Sequence, residues 1–180
     1  YNDGVQTVIT IASIFATVEL NIPQSTLIQV ILMIQFVAFF GAHVVYRISQ
    51  VVGCKPTLII LLLIWVVTTY FVYAHVTMVQ HFWITGGMIA CILGGTQALS
   101  RSLFAQLIPS GQEAAYFSFF LLATRGTSWM GPLLFGLINQ IVDSMRIAIL
   151  TIGILFVIGC VGLLRFDLAA GIAEQKQKIT

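Results

Sequence analysis

Six side chains have the types and spacing to hold a polar solute inside an apolar protein. Asn2, Asp3, Gln6 and Thr10 recur in "YNDGVQTVIT" at helical spacing. At about 100° per residue they fall, with Ser13 and Thr17, within an arc of about 100°. Amides and hydroxyls there can donate and accept hydrogen bonds. Asp3 adds a group that can carry a proton or balance a charge. Gln97 contributes a further amide, and Arg125 a cation able to hold a carboxylate or neutralise Asp3.

The elements that must position these residues are written in the composition. Of 180 residues, 59% are hydrophobic and 8% are charged, and mean hydropathy is +1.02. A soluble domain carries about a quarter charged residues. The class is therefore all-α integral membrane. A bilayer core takes about 20 apolar residues per helix, and the sequence predicts six spans over 1–18, 25–46, 57–76, 82–103, 114–141 and 145–166. "NIPQS", "GCKP", "HVTMVQH", "LIPSGQE" and "QIVDS" separate them, with turn-forming residues where the chain must reverse. Short loops predict one six-helix bundle over 1–166, its first helix cut at the start, followed by a polar tail over 167–180. Arg47, Lys55, Arg101, Arg165, Lys176 and Lys178 fall on one side and Arg146 on the other. That bias puts the second loop, the fourth loop and the tail in the cytoplasm.

Lipid cannot satisfy the polar stripe of the first helix, so it faces either an interhelical hydrogen-bond seam or a wet cavity. Asp3 favours the cavity if it lies at membrane depth, whereas in water it would simply cap a helix. Arg125 stands about eleven residues into the fifth span. A charge at such depth costs about 2.5–3.5 kcal/mol on insertion scales and needs a partner or water. Of the chain's six acids, only Asp3 reaches a similar depth. Asp3 and Arg125 are thus expected either to pair across the bundle, as a structural or functional ion pair, or both to face a substrate.

Two further stretches bear on movement and packing. In "WMGPLLFG", Pro132 is expected to kink the fifth span, and Gly131 and Gly136 to allow close approach. On the fourth helix, Gly87, Ala90, Cys91, Gly94, Gln97, Ala98 and Arg101 share a face of about 120°. Its small residues, with Gly94 and Gly95 opening "GGTQALSRSLFAQLIPSG", allow a neighbouring helix to come close. Gln97 lies more than a turn inside the span and can hydrogen-bond a ligand or a helix. The first and fourth helices hold equivalent places in two groups of three, where inverted-repeat transporters put their binding sites.

Other chemistries find no support. There is no HExxH, no GxSxG and no pair of carboxylates in one span. His43, His75 and His81 lie on separate segments, and Cys54, Cys91 and Cys160 lack ligand spacing. No cofactor or metal is called for. A net charge of +2 is too small to point to nucleic acid.

"YNDGVQTVI", "GGTQALSRSLFAQLIP" and "GPLLFGLINQ" together resemble the vacuole effluxer family of the major facilitator superfamily, known for autophagy-related amino-acid export. The resemblance covers essentially the whole chain. It implies the C-terminal half of a twelve-helix transporter, with an N-terminal six-helix half elsewhere. It puts Tyr1, Asn2 and Asp3 mid-membrane, and Arg125 matches a basic position of the family. "YRISQVVGCKP" matches the superfamily's cytoplasmic gating signature only at Gly53 and Lys55. A multi-pass protein of a bacterial inner membrane or a eukaryotic vacuolar membrane is implied, moving small solutes such as neutral amino acids; a proton coupled through Asp3 is a further expectation that rests on that one carboxylate alone. The competing reading is a membrane assembly protein or an inactive transporter fragment.

Overall fold

The computed structural model describes residues 1–109 and 111–166, so the tail over 167–180, expected in the cytoplasm, lies outside the described residues. The described residues form helices joined by short connections: α1 Asn2–Val18, α2 Gln24–Val52, α3 Cys54–His75, α4 Val79–Ala105, α5 Glu113–Gly126, α6 Met130–Val142 and α7 Met145–Arg165. Helices α2, α3, α4 and α7 are long and apolar enough to cross a membrane. α1 and the tandem α5–α6 complete six crossings.

The expectation of one kinked fifth helix is corrected by a break at residues 127–129. Pro132 has no N–H for the Ser128 carbonyl, and its ring crowds that carbonyl. Two hydroxyls then take carbonyls at the end of α5. Thr127 Oγ1 donates to Ala123 O at 3.1 Å and Ser128 Oγ to Arg125 O at 2.7 Å. Such local bonds fall here where the proline has already removed one rung of the helix ladder, and the span divides.

The core gathers around α3. Trp65 is fully buried and stacks on Phe156 of α7, with centroids 5.2 Å apart and planes at 14°. Trp65 Nε1 also donates to Thr96 Oγ1 of α4 at 3.1 Å, giving its one polar atom a partner. α2 lies closest along α4, and small residues make this possible. A Cβ at Gly41 would come within 2.5 Å of the Cys91 carbonyl, one at Gly94 within 2.7 Å of Ala38 O, and one at Gly95 within 2.6 Å of Val45. Gly87, expected on that same face, meets nothing within 4 Å.

The ends of the bundle are tied differently. At the end assigned to the cytoplasm, α2 runs through most of the expected second loop and stops at Gly53, whose φ of +100° suits glycine. Lys55 Nζ then donates to Phe166 O at 2.6 Å, fastening the start of α3 to the end of α7. At the opposite end Arg146 Nε meets Glu19 Oε1 at 2.9 Å. α5 has no buried residue among those described and meets α4 through Phe104, whose ring packs on those of Phe117 and Phe120.

Candidate solute-binding cavity

The exposed stripe of α1, the last turns of α4 and the broken span enclose a cavity of about 350 Å³. Asn2, Gln6 and Thr10 reach it from α1, and Gln97, Ser100 and Arg101 from α4. Phe120, Leu121, Thr124 and Arg125 reach it from α5, Ser128 from the break and Pro132 from α6. The periodicity explains each contribution, because residues three and four apart share a helix face. Gln97 also borders a larger apolar cavity of about 430 Å³ between α1, α2 and α4.

The hydroxyls around the cavity are already committed as donors. Thr10 Oγ1 donates to Gln6 O at 2.9 Å, Ser100 Oγ to Thr96 O at 2.6 Å and Thr124 Oγ1 to Leu121 O at 3.1 Å. Tyr1 OH and Ser100 Oγ are hydrogen-bonded to each other, joining α1 to α4 beside the cavity. Arg101 and Arg125 have no carboxylate within 4.0 Å among the described residues, where the Arg146–Glu19 pair is the one ion pair. The lining thus brings two guanidiniums and three amides together with no acid. Such a lining favours a solute with an anionic end, since guanidinium N–H groups donate and carboxylates accept.

Asp3 does not line this cavity, and the expected Asp3–Arg125 pair is not formed. Asp3 sits at the edge of the polar arc and turns instead toward α6, where it is 9% exposed. Its Oδ2 lies close beside Gly131, in the first turn of α6. That helix end supplies positive charge in place of the arginine. Thr7, beside it, is fully buried and donates its hydroxyl to Asp3 O at 2.7 Å. Gly131 is packed against Thr7 and Asp3, and Pro132 faces the cavity. Gly94 and Gly95 lie against α2, and Gly53 and Lys55 sit at the junction of α2 and α3.

Ser100, Thr124 and Ser128 line the cavity without having been singled out from sequence. Their signal was present. Gln97, Ser100 and Arg101 follow the spacing i, i+3, i+4, and Leu121, Thr124, Arg125 and Ser128 follow i, i+3, i+4, i+7.

A family model described as vacuole effluxer Atg22 like matches residues 1–176. An uncharacterized MFS-type transporter YxiO of Bacillus subtilis is 32% identical over 161 residues, covering 89% of this chain and 37% of the relative. Autophagy-related protein 22 of Kluyveromyces lactis is 30% identical over 189 residues, covering 99% of this chain and 38% of the relative. Autophagy-related protein 22 of Vanderwaltozyma polyspora is 32% identical over 158 residues, covering 81% of this chain and 30% of the relative. The chain therefore spans about a third of the length of these curated relatives. No solved structure matches it significantly.

Proposed function

This chain belongs to the vacuole effluxer family of the major facilitator superfamily, and from that membership we propose that it is the C-terminal half of a secondary active transporter. Residues 1–166 form one wall of the transport path, and 167–180 form a cytoplasmic tail. An N-terminal six-helix half forms the other wall. The solutes are small molecules bearing a carboxylate, with neutral amino acids as the first candidates.

The observation that carries this reading is the acid-free cavity into which Arg101 and Arg125 both project. Arg125 holds the solute carboxylate, because it stands deepest along α5 from the cytoplasmic end. Arg101 stands nearer that end and attracts the same charge toward it. Asn2, Gln6 and Gln97 supply amide donors and acceptors for the rest of the solute. Oxygens of Thr10, Thr124 and Ser128, whose protons are committed to carbonyls, accept from it. Broken helices near a binding site allow one part of a bundle to rock against another. Here the break at 127–129 lets α5 move while the tightly packed α2–α4 pair stays fixed.

The test is binding to the purified full-length protein, with a neutral amino acid compared against its carboxamide. Binding of the acid and a loss of affinity for the amide are expected. A charge-assisted hydrogen bond contributes about 1.5–3 kcal/mol, so the loss should be about tenfold or more. Equal affinity for the two compounds refutes the carboxylate assignment.

A further inference from the structure

Tyr1, at the start of α1, is bonded to the other helix that carries most of the cavity's polar groups. Ser100 has one hydroxyl proton and gives it to Thr96 O at 2.6 Å. In its bond with Tyr1 the phenol therefore donates and Ser100 Oγ accepts. Among the described residues no other side-chain hydrogen bond joins α1 to α4. Cavity residues bracket this bond on both helices. Asn2 follows Tyr1 and Gln6 stands just over a turn on, while Gln97 lies about one turn before Ser100 and Arg101 directly after it. Farther along α1, from Val8 to Ser13, the apolar cavity of about 430 Å³ lies between α1, α2 and α4. The spacing of α1 and α4 is thus set by a bond at the level of Tyr1.

The other side of Tyr1 is held by α7. A Cβ at Gly159 would come within 2.6 Å of Tyr1 Cβ, so this glycine lets the tyrosine seat against the α7 backbone. About one turn along α1, Gly4 leaves room for the Phe156 ring, which a Cβ there would meet at 3.2 Å. Phe156 stacks on Trp65, and Trp65 donates to the hydroxyl of Thr96, whose carbonyl takes the Ser100 proton. These contacts close a ring through α1, α4, α3 and α7. Trp65, Phe156 and Thr96 are all fully buried, and a close-packed interior transmits strain instead of absorbing it.

Resting on the cavity being the solute site, we infer that Tyr1 is a positioning residue: its hydroxyl, bonded to Ser100, fixes the separation and register of α1 and α4, and so places Asn2 and Gln6 opposite Gln97 and Arg101. Tyr1 does not itself line the cavity. A binding constellation is accurate when the groups that support it are locked by packing and hydrogen bonds. Without the bond, the amides of α1 sample a range of distances from α4, and the solute must order them as it binds.

The experiment measures uptake of a labelled neutral amino acid into vesicles holding the full-length protein as wild type, Tyr1→Phe, Ser100→Ala and the double variant. Tyr1→Phe keeps the ring against Gly159 and removes the bond. Its half-saturating concentration should rise about threefold to tenfold, the range of one hydrogen bond. Its maximal rate should change by less than about twofold, because a loss of folded protein alone lowers the maximal rate and leaves the half-saturating concentration where it was. The double variant should be no worse than the worse single variant, since each loses the same bond. An unchanged half-saturating concentration in Tyr1→Phe, or strictly additive effects in the double variant, overturns the inference. Should Tyr1→Phe fail to fold, Ser100→Ala removes the acceptor from the other side; the same rise is expected, and its absence overturns the inference. If the wild type takes up no carboxylate solute, the cavity reading fails. Thermal unfolding of the same four proteins in detergent then decides the role of the bond, with coupling between the two changes expected and additivity overturning it.

Discussion

Gly131 of α6 lies so close to Thr7 of α1 that a methyl group in place of its hydrogen would overlap the Thr7 hydroxyl. The contact explains how a half-length helix is held within the bundle. α6 brings only Gly131 and Phe135 into buried positions and packs chiefly against α7, so the close approach at Gly131 is what ties it to α1. Gly131→Ala should therefore lower the thermal midpoint of the purified protein. Overpacking costs about 1–3 kcal/mol. Adding Thr7→Ala should recover part of the loss, and an unchanged midpoint in Gly131→Ala would show that α6 docks by other means.

The α2–α4 seam makes a sharper comparison among glycines. A Cβ at Gly41 would press on the Cys91 carbonyl at 2.5 Å, whereas one at Gly87 meets nothing within 4 Å. Gly41→Ala should destabilise by about 1–3 kcal/mol. Gly87→Ala should be neutral or stabilising by up to about 1 kcal/mol, because alanine favours the helix. Chemical denaturation in detergent measures both, and equal effects would contradict the packing.

Thr96 accepts from Trp65 and donates to Ile92 O at 2.7 Å. Thr96→Val keeps the shape and removes the acceptor, leaving a buried indole N–H unsatisfied. The expected loss is about 1–3 kcal/mol. Trp65→Phe in the same background should cost less than its effect alone, since the orphaned donor is gone. A double-mutant cycle reads the coupling, and strict additivity would deny the bond a role.

The fold was legible where one helix decides the outcome by itself. Asn2, Gln6 and Thr10 share an arc because α-helical periodicity puts them there, whatever packs nearby. The six crossings follow from hydropathy and from turn residues such as Pro23, Gly53 and Pro56. Asp3 was harder, because it lies at the arc's edge and its direction depends on how closely α6 approaches through Gly131. The break at 127–129 was read as a kink since Pro132 alone signals one. The structure stops α5 at Gly126 and starts α6 at Met130, an outcome that the proline alone does not announce. Trp65–Thr96 joins residues 31 apart in sequence, and no local pattern announces such a pair.

Arg125 carries the account of the cavity, and its chemistry separates charge from shape. Arg125→Lys keeps the charge and loses the planar fork, while Arg125→Gln keeps hydrogen bonding and loses the charge. The Gln variant should raise the half-saturating concentration for a carboxylate solute about tenfold to a hundredfold, and the Lys variant less.

Uptake of a labelled neutral amino acid into vesicles holding the full-length protein, compared with its Arg125→Gln variant, is the most direct measurement. Saturable uptake in the wild type, competed by the free amino acid but not by its carboxamide and lost in the variant, is the predicted result. Uptake that survives Arg125→Gln unchanged, or that the carboxamide competes equally well, would contradict the assignment of this cavity to a carboxylate-bearing solute.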